Sequence, residues 1–218
     1  IRMVEQDISV AQQSAIRIGE PAPEFTARST EGMVSLRQFR GRWLVFFSHP
    51  ADFTPVCTSE FVAFAKSADA FAALDCGLLG HSVDSLFSHL AWIRALRDDF
   101  GVTIDFPVVE DPTLEIARAF GMVSAEADTA ASVRAVYVID PEGIVRAITW
   151  YPINVGRSVA EILRLVAALK RSADGSVITP EGWQPGGKVL EHPDFLKADA
   201  LASKTATGWF YKEVGEAR

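Results

Sequence analysis

Apolar positions along the chain alternate between short continuous runs and runs spaced three and four residues apart. Trp43-Leu44-Val45-Phe46-Phe47 is aromatic and β-branched enough to predict a buried strand. Pro50 bars its continuation as a central strand, so the chain must turn there. Thr54 and Pro55 suit an N-cap and first helical position, and Glu60, Phe61, Phe64 and Ala65 continue as an amphipathic helix. Cys76 to Val83 predicts a second buried strand. A helix follows, with Asp84 placed to cap it, Leu86, Leu90, Ile93 and Leu96 on one face, and Phe100-Gly101 closing the pattern.

Further on, Phe106 to Val109 predicts a short strand and Pro112 to Phe120 a short helix. Val133 to Ile139 and Ile144 to Trp150 predict an antiparallel pair across Pro141-Glu142-Gly143. Ser158 and Glu161 form a capping box ahead of Ile162, Leu163, Val166 and Leu169. Strands mixed with crossover helices and a late hairpin predict an α/β sandwich with a mixed central sheet flanked by helices. After Arg171 to Gly175 the pattern turns Pro-, Gly- and Trp-rich, with too little continuous apolar patterning for an independent core. That tail must pack on something.

Where the first helix begins, position has a chemical consequence. Cys57 falls in its first turn, where unpaired backbone N–H groups and the positive end of the helix dipole stabilise a thiolate. Free cysteine titrates near ~8.5, and such surroundings lower that to roughly 3.5–7.5. Free cysteines are also among the most buried residue types, so the local pattern alone leaves a packing role open.

Pro50, Thr54 and Cys57 fit the P-x-x-x-T-x-x-C signature of the peroxiredoxins, the alkyl hydroperoxide reductase and thiol-specific antioxidant family. The flanking Ser48-His49-Pro50 and Thr58-Ser59-Glu60 resemble its one-cysteine branch. The similarity runs from about Ile18 to near Pro193 and includes Ser132 to Asp140, Tyr151-Pro152 and Gly156-Arg157. The resemblance implies a thioredoxin-like fold over 17–172, after an N-terminal extension at 1–16 and before a C-terminal arm at 173–218 that lies across a partner subunit. It implies a thiol-dependent peroxidase acting on hydrogen peroxide and organic hydroperoxides, in which Cys57 becomes a sulfenic acid.

In-line attack on a peroxide requires both oxygens to be oriented and developing negative charge to be stabilised. Thr54 supplies a hydroxyl on the same turn and Pro50 shields the thiolate from water. Arg134 is assigned the positive charge: it lies in an apolar strand pattern on the face of Val136 and Val138, where arginine is costly unless paired or functional. In similar proteins the arginine corresponding to Arg157 lies near the site and interacts with Glu60. His49 adjoins the motif and is placed to hold or protonate substrate. His81, His89 and His192 have no such context and read as structural or exposed.

The resemblance requires a thiol to reduce the sulfenic acid. Cys76, at the start of an apolar strand, reads as inert packing, and Val177 to Arg218 contains no cysteine. The expected reductant is therefore external: glutathione, thioredoxin or another thiol, with no cofactor. A redox sensor or holdase using the same cysteine is the alternative, and a Cys57–His49 hydrolase or transferase lacks a third group to orient the pair. Phospholipid hydrolysis, carried by some relatives on a G-x-S-x serine, is not expected, since the matching stretch here reads Phe39-Arg40-Gly41-Arg42-Trp43.

The 218 residues carry a formal net charge of -7 and no Lys/Arg stripe, which disfavours nucleic acid as a partner. No segment has a clean run long enough to span a bilayer, and the acids of the first residues do not suit a signal peptide. A cytoplasmic location is expected. Two cysteines with no zinc-type spacing argue against a disulfide scaffold or metal. By family analogy, and from Trp183, Trp209, Phe210 and Tyr211 in the arm, the expected assembly is a homodimer, with a decamer built of dimers as the larger form.

Overall fold

Every residue of Trp43–Ser48 is buried. The apolar run Trp43 to Phe47 follows, because a strand covered on both faces has no solvent side for polar residues, and the one polar residue, Ser48, is buried with its hydroxyl hydrogen-bonded to the Val133 carbonyl. The structure, a computed structural model, describes residues 16–123 and 133–215. Of the predicted extension only Ile16 falls within these limits, and Ser132 of the family-like stretch falls outside them.

In chain order the elements are β1 (Thr26–Ser29), β2 (Gly32–Ser35), a 3₁₀ turn (Leu36–Phe39), β3 (Trp43–Ser48), α1 (Pro55–Ala73), β4 (Cys76–Ser82), α2 (Leu86–Phe100) and β5 (Val108–Glu110). They continue with α3 (Glu115–Ala119), β6 (Arg134–Ile139), β7 (Val145–Tyr151), α4 (Val159–Ser172), β8 (Val189–Leu190), α5 (Lys197–Ala202) and β9 (Glu213–Val214). The first seven strands form one mixed sheet in the order β2-β1-β5-β4-β3-β6-β7. β3 is parallel to β4, with Trp43 opposite Cys76 and Ser48 opposite His81, and antiparallel to β6, with Phe47 opposite Val136.

Alternation along the strands divides the core into two layers. Trp43, Val45 and Phe47 of β3 and Val136 and Val138 of β6 join α1, α2 and α4 on one face, through Phe61, Phe64, Trp92, Leu96, Ile162 and Val166. Leu44 and Phe46 with Ala135, Tyr137 and Ile139 join the 3₁₀ turn and α3 on the other, through Leu36, Phe39, Ile116 and Phe120. Arg134 begins β6 on the face of Val136, the helix-rich side.

Four details depart from the sequence reading. β1 and β2 were not predicted; they are short, half-exposed and without a sustained apolar run. Ser85, not Asp84, is the N-cap of α2, its Oγ accepting from Ser88 N at 3.4 Å. Asp84 instead accepts the backbone N–H of Asp52 at 2.7 Å. The buried face of α2 is His89, Trp92 and Leu96, with Leu90 47% exposed. Its rotation follows from Trp92 carrying more apolar area than Leu90 and from His89 finding a buried partner. At the other end Gly101 takes φ 66° and donates to Arg97 O, the αL cap expected from Phe100-Gly101.

Past α4 the chain leaves the sheet. Trp183 is buried within the chain against Ala167 and Ala168 of α4 and Val189 of β8, which pairs with β9. Phe195, Leu196, Leu201, Phe210 and Tyr211, by contrast, stay exposed.

Candidate active site

The site forms where β3 ends and α1 begins. Thr54 stands at the N-cap with extended backbone, and Pro55, Val56 and Cys57 are the first three helical residues. Cys57 therefore lies at the positive end of a 19-residue helix. The Thr54 hydroxyl does not close the helix end; it donates to Ala51 O at 2.8 Å, holding the preceding turn. Pro50 is buried beside it.

Cys57 is fully buried. Arg134 Nη1 donates toward its Sγ at 3.3 Å and to Glu60 Oε2 at 2.8 Å, while Arg134 Nε donates to Ile153 O at 2.9 Å. Arg157 grips the same carboxylate as a fork, Nε to Oε1 at 2.9 Å and Nη2 to Oε2 at 2.7 Å, with its backbone N–H adding a third bond at 2.7 Å. Arg157 Nη1 also donates to Ser48 O and Ala135 O, both at 2.8 Å, tying the cluster to the ends of β3 and β6. The 152–157 loop approaches α1 closely at Gly156, where a Cβ would stand 3.3 Å from Val56 Cγ1, a tight contact.

Burial pushes the Glu60 carboxyl upward, but the hydrogen bonds and charge of Arg157, with the charge of Arg134, outweigh it and hold Glu60 below its usual range. Two guanidinium groups against one carboxylate leave one positive charge in a buried cluster. The Cys57 Sγ lies against that cluster, 3.3 Å from Arg134 Nη1.

His49 is fully buried, its Nε2 bonded to Asp52 Oδ1 at 2.8 Å and its ring packed on Phe61 and Trp92. Burial, outweighing Asp52, lowers its affinity for a proton. The other Asp52 oxygen meets His89 Nδ1 at 2.8 Å, and His81 meets Asp111 at 3.2 Å. Sequence reading missed Asp52 and His89 as neighbours of the site. Spacing of 37 residues offered no signal, and only the packing of α2 on α1 unites them.

Cys76 lies elsewhere. It opens β4, opposite Trp43 at the start of β3, whereas Cys57 follows the end of β3. A six-residue strand spans about 17 Å, beyond the reach of a disulfide without large movement. Burial pushes the Cys76 thiol up to about 12.

The site sets a buried thiol in the first turn of α1 against an arginine at the start of β6, and comparison with known proteins gives its family. The AhpC/TSA family model matches residues 18–148, and the chain belongs to that family. A peroxiredoxin of Aquifex aeolicus is 48% identical over 176 residues, covering 80% of this chain and 79% of that one. A yeast mitochondrial 1-Cys peroxiredoxin, described with a thiol resolving mechanism via glutathione/thioredoxin systems, superposes with a TM-score of 0.82 at 34% identity, covering 92% of this chain and all of that one. Peroxiredoxin 6 of Arenicola marina gives 0.82 at 29% identity over 94% of this chain and 100% of its own. The fold is thioredoxin-like, and the protein is a thiol peroxidase using peroxides and thiol reductants. Among the described residues no helix is long and apolar enough to cross a membrane.

Proposed function

We propose that Cys57 is the peroxidatic cysteine of a one-cysteine cycle. The thiolate attacks one peroxide oxygen, the O–O bond breaks, and sulfur is oxidised by two electrons to a sulfenic acid. The departing hydroxide or alkoxide takes a proton to become water or alcohol. An external thiol then condenses with the sulfenic acid, releasing water and leaving a mixed disulfide. A second thiol displaces Cys57 from it. The observation carrying this reading is the 3.3 Å contact between Arg134 Nη1 and Cys57 Sγ.

Arg134 stabilises the thiolate and the charge that develops on the leaving oxygen. Glu60 and Arg157 hold that guanidinium in place. Val56 and Cys57 N–H groups precede the first intrahelical donor, Thr58, and serve to hold the substrate oxygens. The Thr54 oxygen keeps a lone pair to accept the peroxide O–H, and Pro50 excludes water. His49 acts by anchoring the turn through Asp52, which its burial supports better than contact with substrate.

The separation of Cys76 from Cys57 supports an external reductant, glutathione or thioredoxin among them. Two free thiols suit the reducing cytoplasm. The exposed apolar residues of the arm suit a homodimer.

The test is hydrogen peroxide consumption with dithiothreitol. Turnover that is lost in Cys57→Ser and kept in Cys76→Ser is the expected result. A trapped Cys57–Cys76 disulfide overturns the one-cysteine cycle. Stoichiometric consumption without turnover points instead to a sensor or holdase.

A further inference from the structure

Cys57 is fully buried, yet an outside thiol must reach its sulfur. The first turn of α1 therefore has to open during the cycle, and something must set how readily it does. The segment 50–54 joins that turn to β3. Its one acidic side chain, Asp52, is buried, and both carboxylate oxygens accept from imidazoles that are themselves fully buried: His49 Nε2 from the end of β3 and His89 Nδ1 from α2, each at 2.8 Å. Its backbone N–H is held at 2.7 Å by Asp84 Oδ2, from the turn that leads into α2. Hydrogen bonds from the two histidines hold the Asp52 carboxyl far below its usual range against the opposing effect of burial. α2 touches the first turn a second time through Trp92 Nε1, 3.3 Å from Thr58 Oγ1.

Two further features mark the segment as held rather than relaxed. Phe53, directly after Asp52, has φ 56°, a left-handed conformation unfavourable for an aromatic residue, and its side chain is 58% exposed. No burial of Phe53 compensates that backbone, so the neighbouring contacts must impose it. The three ligand-type atoms of His49, Asp52 and His89 also lie close enough to suggest a cation. The two hydrogen bonds account for their spacing, and the surrounding Phe61 and Trp92 rings offer no further ligand.

We infer that Asp52 is a positioning residue, a latch that pins the loop before Cys57 to α2 and sets the balance between a closed turn that reacts with peroxide and an open turn that reacts with thiol. The inference rests on Cys57 being the reacting thiol. Releasing the latch moves the two half-reactions in opposite directions, since the closed arrangement with Arg134 favours attack on peroxide and the open one admits the reductant.

The experiment compares wild type, Asp52→Asn, His89→Leu and His89→Asn, the last of which returns an N–H near the position of Nδ1. Loss of one charge-assisted buried bond shifts the opening equilibrium by about tenfold or more. Asp52→Asn and His89→Leu are expected to reduce a preformed sulfenic acid with dithiothreitol about tenfold faster, and to react with hydrogen peroxide more slowly. Amides 54–60 should lose hydrogen-exchange protection while those of β3 and β4 keep theirs, and His89→Asn should recover both behaviours. Unchanged half-reactions, or both slowed together with protection lost throughout the sheet and no recovery in His89→Asn, overturn the latch. Binding of one equivalent of zinc by wild type that Asp52→Asn abolishes overturns it in favour of a metal site. If peroxide fails to oxidise Cys57 in the wild type, the peroxidatic reading fails, while the exchange comparison still decides the latch.

Discussion

Arg134 Nη1 lies 3.3 Å from Cys57 Sγ and 2.8 Å from Glu60 Oε2, so one guanidinium nitrogen serves both the thiol and the carboxylate. Cys57 and Glu60 are three residues apart on one face of α1, and Arg134 arrives from β6 to meet both. The helix therefore carries its own counter-charge for the arginine that it uses.

Arg134→Gln removes the cation from the sulfur. The second-order rate constant for hydrogen peroxide, followed under single turnover, is expected to fall by about 10²–10³-fold, the scale for deleting one donor aimed at developing charge. Arg134→Lys should recover little, because an ammonium lacks the planar fork that reaches Cys57, Glu60 and the Ile153 carbonyl together. A rate within a few-fold of wild type in either variant sets aside the electrostatic role.

Glu60→Gln leaves two buried guanidinium groups facing each other. Breaking a buried ion pair on one side costs about 3–5 kcal/mol. Chemical denaturation should register a loss of that order, and activity should fall with it. A near-neutral change would mean that water or a backbone carbonyl replaces the carboxylate at no cost.

Burial holds the protons of His49 and His81 off their rings, against Asp52 and Asp111, so both native imidazoles have lowered affinities. The unfolded chain binds protons below about pH 6.5 that the native chain refuses. Stability is thus expected to fall as pH drops through and below that value, by up to about 1.4 kcal/mol per pH unit for each histidine. Asp52, Glu60 and Asp111, whose native carboxyls are held low, keep their contributions until pH falls below the ordinary carboxylate range. Urea midpoints that stay constant between pH 7 and pH 5 contradict the histidine part.

Cys76, with its thiol pushed up to about 12, should resist alkylation by iodoacetamide in the native protein at pH 8. Peptide mass spectrometry after limited labelling should find the modification at Cys57, and unfolding in urea should equalise the two. Labelling of Cys76 ahead of Cys57 would overturn the assignment of the reactive thiol.

Some of this architecture needed no coordinates. The apolar run of β3, the Thr54-Pro55 helix start and the Phe100-Gly101 stop follow from local chemistry: burial on two faces, a proline fitted to the first helical position, and a glycine free to adopt positive φ. Those rules also put Cys57 in a first helical turn and marked Arg134 as an expensive residue in an apolar strand. The strands β1 and β2, at one end of the sheet, escaped because short, half-exposed strands carry little periodicity.

Within the chain's own sequence lay the thiol, its helix and the arginine that had to be explained. Tertiary structure alone decided which groups meet across long separations: Arg157 with Glu60, His89 with Asp52, Asp84 with the loop rather than its expected helix, and Cys76 at the far end of the strands from Cys57. Local rules act over a few residues through backbone sterics and periodicity, whereas these partnerships arise when helices and strands pack and every buried charge must find its counterpart.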